Sequence, residues 1–448
     1  MSPTSQKLKA ISDLKTTRSV LLCGASVRSL AESAIAAGLR PLCVDFFEDE
    51  DLRKILGSGR GRFVGRIDDF TQLPQRIHSV RSSIPMLWAG GLENHSDVLR
   101  EIARHRPVIG AAPDSVDQLR DPWQLKAWLT EAKIGVPCLA TEATAASDCH
   151  WLRKSVASSG GLGINIHSSR RAISSVHVSR GVYLQEYIDG VPMSATLSAD
   201  ETGVHLSGMS LQLIGWPSLG GSGFLFCGNV GPVDPGEQVT RQVLEAAGIL
   251  VERTGLRGVF GIDFILRQGH AWFLEVNPRV TASHLLYELK QPGLIIHRHL
   301  AALGWASVRL RRSLEKCASG TPVPVSPLAA RLILWARKDM RVPEGFCHAS
   351  CTTVKITDCP QPGTLVPSAS PLCSIQLAAN EFDGMFEQLI RLDDMSGQNT
   401  NSPIGTLRAL GYLPLTIAGQ LRMLWQRFER LIPRRAQGSS DSHPIQCR

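Results

Sequence analysis

The chain has 448 residues, 43% of them hydrophobic and 20% charged, with a net charge of +8. That length allows two or three domains around a real core. The N-terminus MSPTSQKLKAISDLKTT has no signal-peptide core, and no apolar run approaches the ~20 residues of a membrane helix. A cytoplasmic enzyme that handles anions fits this balance, whereas a nucleic-acid binder would need a basic stretch interleaved with aromatics.

Residues 1–17 are expected to be disordered. From residue 18 the chain reads RSVLLCGASVRSLAESAIAAGLRPLCVDF. Strand Val20 to Cys23 runs into a small-residue turn, a helix ended by Gly38, and strand Pro41 to Val44. This βαβ opening predicts a Rossmann-like sheet. It lacks G-x-G-x-x-G, which argues against a dinucleotide site. A third strand, Met86 to Trp88, leads into Gly90, Gly91, Glu93 and Asn94. Glycines at a strand end let the backbone approach a ligand, so Glu93 and Asn94 are either substrate contacts or caps of a helix from Asp97 to Arg104. A fourth strand at 107–110 completes this domain, with its boundary between Asp114 and Asp121.

A helix is predicted over 121–137, capped by Asp121 and ended by Gly135 and Pro137. Next, Lys154 precedes Ser158, Ser159, Gly160, Gly161 and Gly163. A cation beside flexible backbone N–H groups is what a phosphate lid requires, although a hairpin loop with a solvated lysine reads the same way. Val182 to Ile188 form a strand, followed by strands at Ser194 to Ser198, Val204 to Ser207 and Ser210 to Ile214. The run 215–232 holds six glycines and is read as a mobile loop able to cover a site. A helix from Glu237 to Thr254 follows.

Gly258 to Arg279 then reads GVFGIDFILRQGHAWFLEVNPR, two strands joined by a turn at Arg267 to His270. Asp263, Glu275 and Asn277 interrupt its apolar pattern. With the turn centred on Gly269, Asp263 faces Glu275, and strand alternation turns Asn277 to the same side as Glu275. Two facing carboxylates repel unless a cation lies between them. Two carboxylates and an amide suit a hard cation, Mg²⁺ or Mn²⁺, with phosphate oxygens completing its shell. An exposed polar face on an edge hairpin is the alternative. Beyond it, Thr281 and Ser283 either bond a ligand or cap a helix.

Strands Leu328 to Ala336, Thr352 to Ile356 and Leu372 to Leu377 surround the turn at Asp358 to Gly363. The 11 cysteines are read as mostly reduced and often buried, and Cys347, His348, Cys351 and Cys359 hold only half a zinc-ligand pattern. A basic amphipathic helix, Leu415 to Ile432, is expected to pack on its own domain, with a membrane surface or partner as the alternative. Gln437 to Arg448 are read as disordered.

Gly-x-Asp-Phe, a hairpin and Phe-Leu-Glu-Val-Asn-Pro-Arg resemble the metal-binding strands of the ATP-grasp superfamily, and Lys154 with its glycine loop resembles that family's lid. Within it the chain is similar to ATP-dependent carboligases related to biotin carboxylase and the carbamoyl-phosphate synthase large chain. The Asp358 turn resembles the C-terminal segment of the biotin-carboxylase-like members. The resemblance implies an α/β (α+β) fold: a Rossmann-like pre-ATP-grasp domain (18–118), a two-lobed ATP-grasp domain (119–312, lid about 138–190), a β-rich segment (313–395) and a basic helical tail (396–448). It implies that Asp263, Glu275 and Asn277 hold Mg²⁺ on ATP. Lys154, Gly160, Gly161 and Gly163 would grip the phosphates, Gln185, Glu186 and Ile188 would read adenine, and Arg279 would face the reacting phosphate. Lys126 and Lys133 are the candidates for the family's first phosphate lysine, near the helix start, although neither has the usual offset. No acid follows Gly190 to bind ribose, which leaves Ser194. The implied activity joins a carboxylate, activated as an acyl phosphate, to an amine, in cofactor or one-carbon metabolism. The alternatives are a bicarbonate-activating carboxylase with its biotin carrier on another chain, and a non-catalytic ATP sensor. The expected partners are small carboxylate and amine substrates and a second copy of the chain, with no nucleic acid and no membrane.

Overall fold

The computed structural model describes residues 18–57, 59–140, 150–167, 181–305, 327–346, 350–351, 354–396 and 407–432. The N-terminal part is a parallel five-stranded sheet of β1 (Ser19–Cys23), β2 (Arg40–Asp45), β3 (Arg62–Arg66), β4 (Met86–Trp88) and β5 (Val108–Ile109), in the order β3-β2-β1-β4-β5. β3 was not foreseen: Arg62, Gly65 and Arg66 break its apolar pattern, as suits an edge strand. The order reverses between β1 and β4, where ligands usually enter such sheets. There Ala25 N–H donates to Gly90 O at 2.8 Å and joins the loops that follow the two strands.

The chain then builds a four-stranded unit from β6 (Leu139–Ala140), β7 (Trp151–Ser155), β8 (Asn165–His167) and β9 (Val182–Glu186), ordered β6-β9-β7-β8. The body is a nine-stranded antiparallel sheet of β10 (Val191–Asp200), β11 (Gly203–Ile214), β12 (Phe226–Val233), β13 (Gly258–Arg267), β14 (His270–Asn277), β15 (Leu328–Trp335), β17 (Ser350–Cys351), β18 (Val354–Thr357) and β20 (Pro371–Ala379). Its order is β14-β13-β10-β11-β12-β15-β20-β18-β17, while β16 (Met340–Arg341) and β19 (Leu365–Val366) pair separately. The C-terminal strands thus extend the same sheet.

Helix Glu237–Thr254 packs on one face of the sheet through Val239, Val243, Ala246, Ala247 and Leu250, a helical stripe that ends at left-handed Gly255. It shares a core with Phe260, Ile262, Phe264, Leu266 and Val276. Alternation turns Asp263 and Glu275 to the opposite face. Helix Pro122–Glu131 begins as expected, with Asp121 Oδ1 accepting from Trp123 N at 2.9 Å, but it stops at residue 131 rather than 137.

Two expectations are corrected. The strands predicted at 204–207 and 210–214 are one strand, β11, whose pairing shifts register between Leu206 and Gly208 against β10, and between Met209 and Leu211 and again at Ile214 against β12. The second half of the 215–232 run is β12, held between β11 and β15. Of the cysteines expected to be mostly reduced, Cys359 is disulfide-bonded, while Cys23, Cys43, Cys138, Cys227 and Cys373 are free. Cys347 and His348 lie outside the described residues, as do residues 1–17 and Gln437 to Arg448. No described helix is long and apolar enough to cross a membrane.

Candidate active site

The β13–β14 hairpin turns on Gln268 and Gly269, both at positive φ (50° and 76°), with Arg267 paired to His270. Continued from that turn, the register would place Asp263 opposite Leu274. A bulge after the Phe264–Phe273 pair shifts it by one residue, so Asp263 pairs with Glu275 and Gly261 with Asn277. The facing acids therefore owe their position to a bulge, not to a turn centred on Gly269.

Asp263 Oδ1 accepts from Gln212 Nε2 at 2.9 Å and Oδ2 from Asn277 Nδ2 at 3.0 Å. Burial, and then the charge of Glu275, push the Asp263 carboxyl well above the usual range. Such a pair, with an amide beside it on one cavity face, is an oxygen-donor set that gains from a hard cation, so these residues fit Mg²⁺. Glu275 Oε2 lies 3.8 Å from Arg120 Nη1.

Arg279 donates from Nε (3.0 Å) and Nη2 (2.6 Å) to Glu93 Oε1, and from Nη2 to Asn277 Oδ1 at 3.3 Å. Burial opposes the charge on Glu93, but Arg279 outweighs it and holds the carboxyl below its usual range. Glu93 Oε2 also accepts from Gly91 N at 2.6 Å. Gly91 sits at φ 100°, where a Cβ would meet Phe70 at 2.7 Å, so the turn requires glycine. Glu93 and Asn94 form a short 3-10 turn, and neither caps the helix that follows, Ser96–His105. Gly90 lies against the Arg279 guanidinium.

Lys154, on β7, is buried and donates from Nζ to Gln185 Oε1 at 3.1 Å. The oxygen expected to accept from a base is thus engaged by the lid lysine. The glycine loop lies across the cavity, and Phe226 N–H donates to Gly160 O at 2.9 Å. A Cβ on Gly161 would lie 1.8 Å from Phe224 O, so the two glycine runs meet at a point that tolerates no side chain.

One cavity of about 620 Å³ collects Glu93, Lys154, Gly160, Gly161, Gln185, Glu186, Ile188, Ser194, Asp263, Glu275, Asn277, Arg279, Thr281 and Ser283 on its walls. Gly90, Gly91, Asn94 and Gly163 are not on its wall. Lys126 lines a separate small crevice, and exposed Lys133 lines neither. Thr281 and Ser283 bond each other at 2.8 Å, and Ser283 also bonds Thr196 at 3.1 Å.

Among the wall residues that sequence reasoning missed are Arg120, Gln212, Leu424 and Arg427. Gln212 carried a signal, since it alternates with apolar residues in Ser210 to Ile214. Arg120 directly precedes the helix cap, where a search for lysines passes over it. Leu424 and Arg427 come from helix Pro414–Leu431, which packs on this chain through Leu421, Phe428 and a Trp425–Phe382 stack at 4.6 Å. Arg427 Nη2 donates to Asp189 Oδ1 at 2.7 Å, just beyond Ile188. Nothing in the sequence ties that helix to Asp189, 238 residues upstream.

Residues 119–283 match the family model of the ATP-grasp domain. The chain carries an ATP-grasp domain. No curated protein matches its sequence. Among solved structures it is similar to a biotin carboxylase from Campylobacter jejuni, solved as a complex with ATP, at 14% identity and a TM-score of 0.60, covering 83% of this chain and 90% of that one. The N5-carboxyaminoimidazole ribonucleotide synthetase of Thermus thermophilus aligns at 14% identity and a TM-score of 0.58, over 84% and 98% of the two chains. The L-amino acid ligase of Bacillus licheniformis aligns at 13% and 0.59, over 84% and 97%. At these identities the likeness concerns the fold. The ATP-grasp fold and its N-terminal Rossmann-like sheet account for the two architectures expected from the sequence.

Proposed function

We propose that this protein is an ATP-dependent ligase that activates a substrate carboxylate as an acyl phosphate and joins it to an amine. The observation that carries this reading is the meeting of Asp263, Glu275, Asn277, Lys154 and Arg279 on one cavity beneath a glycine lid. Asp263, Glu275 and Asn277 would hold Mg²⁺, which when bound neutralises charge on the phosphate oxygens. Lys154 would bind phosphate oxygens, exchanging its bond to Gln185 for them and freeing that amide oxygen to accept from a base amine. Glu186 and Ile188 line the base end.

A substrate carboxylate oxygen would bond the γ phosphorus as the bond to ADP breaks. The amine nitrogen then bonds the acyl carbon, phosphate leaves, and the amine proton passes to the departing phosphate. Arg279, held rigid by Glu93, is poised to stabilise charge on the transferring group. The contact between the two glycine runs would keep water from the acyl phosphate.

Hydroxylamine trapping tests this reading. With ATP, Mg²⁺ and a panel of carboxylates, hydroxamate should form with wild type and be lost in Glu275→Ala. ATP binding with no ADP formed from any candidate would favour the sensor reading. The similarity to a biotin carboxylase supports a second reading, in which bicarbonate is the carboxylate. ADP formation that depends on bicarbonate alone would favour it.

A further inference from the structure

Arg120 ends helix Pro113–Arg120 and its side chain is 10% exposed. Its Nη2 faces three oxygens: Val156 O at 2.9 Å, Ser158 O at 2.9 Å and Asn94 Oδ1 at 3.0 Å. Asn94 in turn donates from Nδ2 to Ser158 O at 3.3 Å. Nη1 lies 3.8 Å from Glu275 Oε2, and Nε is buried with no hydrogen-bond partner among the described residues. One guanidinium thus touches the lid, the loop after β4 and the acid hairpin. Asn94 is also the neighbour of Glu93, which holds Arg279.

We infer that Arg120 and Asn94 are positioning residues that clamp the glycine lid shut and register its closure against the acid hairpin. What the lid encloses rests on the ATP-dependent reading above, but the clamp is a property of the chain alone. A lid that closes takes its own carbonyls out of water, and each then needs a donor. Val156 O and Ser158 O find charged donors on the far wall of the cavity, so closing replaces solvent by charge-assisted bonds. On the other flank, Phe226 N–H ties down Gly160 O. The guanidinium directs Nη2 at the lid and Asn94 while Nη1 faces Glu275, two directions that the single nitrogen of a lysine ammonium cannot reproduce. Because Glu93 and Asn94 are adjacent in one turn, movement of Arg279 on a substrate would also reach the lid.

Hydrogen exchange on the full-length chain, with and without ATP and Mg²⁺, reads lid closure directly. Two conservative variants keep the fold. Arg120→Lys retains a charge near Glu275 but loses the fork. Asn94→Asp retains its shape and its bond to Arg120 but removes the donor to Ser158 O. Each should exchange the amides of residues 156–164 roughly tenfold faster than wild type, the loss expected for one or two hydrogen bonds. In steady-state kinetics the KM for ATP should rise more than kcat falls, and ADP should form in excess of product as water enters. Unchanged lid exchange in both variants would overturn the inference. So would faster exchange spread evenly over the chain, which marks a merely structural role. Wild type that neither forms ADP nor responds to ATP would sink the ligase reading, while the ligand-free comparison would still judge the clamp.

Discussion

Two buried arginine–carboxylate joints tie the N-terminal sheet to the body sheet, and they differ in what they leave unsatisfied. Arg28, 1% exposed, meets Asp358 at 2.8 Å, Glu32 at 2.7 Å and Asp51 at 3.5 Å, while Asp358 also takes Arg331 at 2.8 Å. None of these residues lines the cavity. Arg279 and Glu93 are also deeply buried, but their pair stands beside Asp263 and Glu275, whose like charges face each other across the hairpin. The first joint matches each arginine with carboxylates, although Arg28 Nη2 and Arg331 Nε lack a hydrogen-bond partner among the described residues, and it ties the two sheets together. The second leaves charge facing an open cavity, which is the condition for binding a ligand ion. A buried charge therefore points to function only where its neighbours leave it underpaired.

The largest effect should come from breaking the first joint. Asp358 has φ 56°, a conformation asparagine tolerates, so Asp358→Asn changes charge with little backbone cost. It leaves Arg28 and Arg331 short of a partner and should destabilise the fold by about 3–5 kcal/mol in urea unfolding. Nucleotide affinity of the folded fraction should be unchanged. The pH dependence follows from the same residue. Burial opposes the charge on Asp358, but Arg28 and Arg331 outweigh it and hold the carboxyl far below its usual range. Its stabilisation is therefore present above the unfolded-state value of about 3.9 and is lost as pH falls below it. Asp358→Asn should flatten that acid limb of the stability curve.

Glu275→Ala sharpens the contrast from the other side. It removes one of two facing acids, so the fold should hold or gain stability. Mg²⁺-dependent ADP formation should fall at least about a hundredfold, above the usual loss for a residue outside the metal's direct shell. A fall in stability like that of Asp358→Asn would show that the two joints are alike after all.

The same contrast explains what could be read from the sequence. The acid hairpin was legible because Asp263, Glu275 and Asn277 stand out against a period-two apolar pattern, and the helix at 237–254 because its stripe and glycine stop agree. The partners of those groups were not legible. The bulge at Leu274 depends on how two strands settle against their neighbours, and its effect equals that of a different turn. A Cβ on Gly208 would meet Tyr287, from the 3-10 turn Ala282–Tyr287, at 2.3 Å, a tertiary contact invisible in the sequence, so the irregular β11 read as two strands. The glycines of 215–232 suggested mobility, yet Gly228 lies where a Cβ would strike Arg331 O at 1.9 Å, so close strand packing is what glycine serves there. Arg120 and Arg427 belong to the site through tertiary contacts alone.

A smaller effect tests whether the Arg279 joint is rigid or merely charged. Arg279→Lys keeps the charge opposite Glu93 but loses the two donors that converge on Oε1 and the bond to Asn277 Oδ1. If fixed geometry is what matters, kcat should drop roughly tenfold to a hundredfold with little change in the KM for ATP, because the lost contacts act on charge that develops at the transferring group. A matching rise in KM with kcat intact would mean that the arginine holds the ground state.

The smallest expected change is at the start of helix Pro122–Glu131. Asp121 caps it through Trp123 N and Gln124 N and also takes Gln124 Nε2 at 3.1 Å. Asp121→Ala should cost about 1 kcal/mol in unfolding, as an ordinary cap does. Arg120 is its chain neighbour and reaches the lid from the same point. If the helix start also fixes Arg120, then lid exchange at 156–164 should quicken in Asp121→Ala beyond what that loss of global stability accounts for. Equal slowing or quickening across the molecule would assign Asp121 to the fold alone and leave Arg120 held by the lid and Asn94.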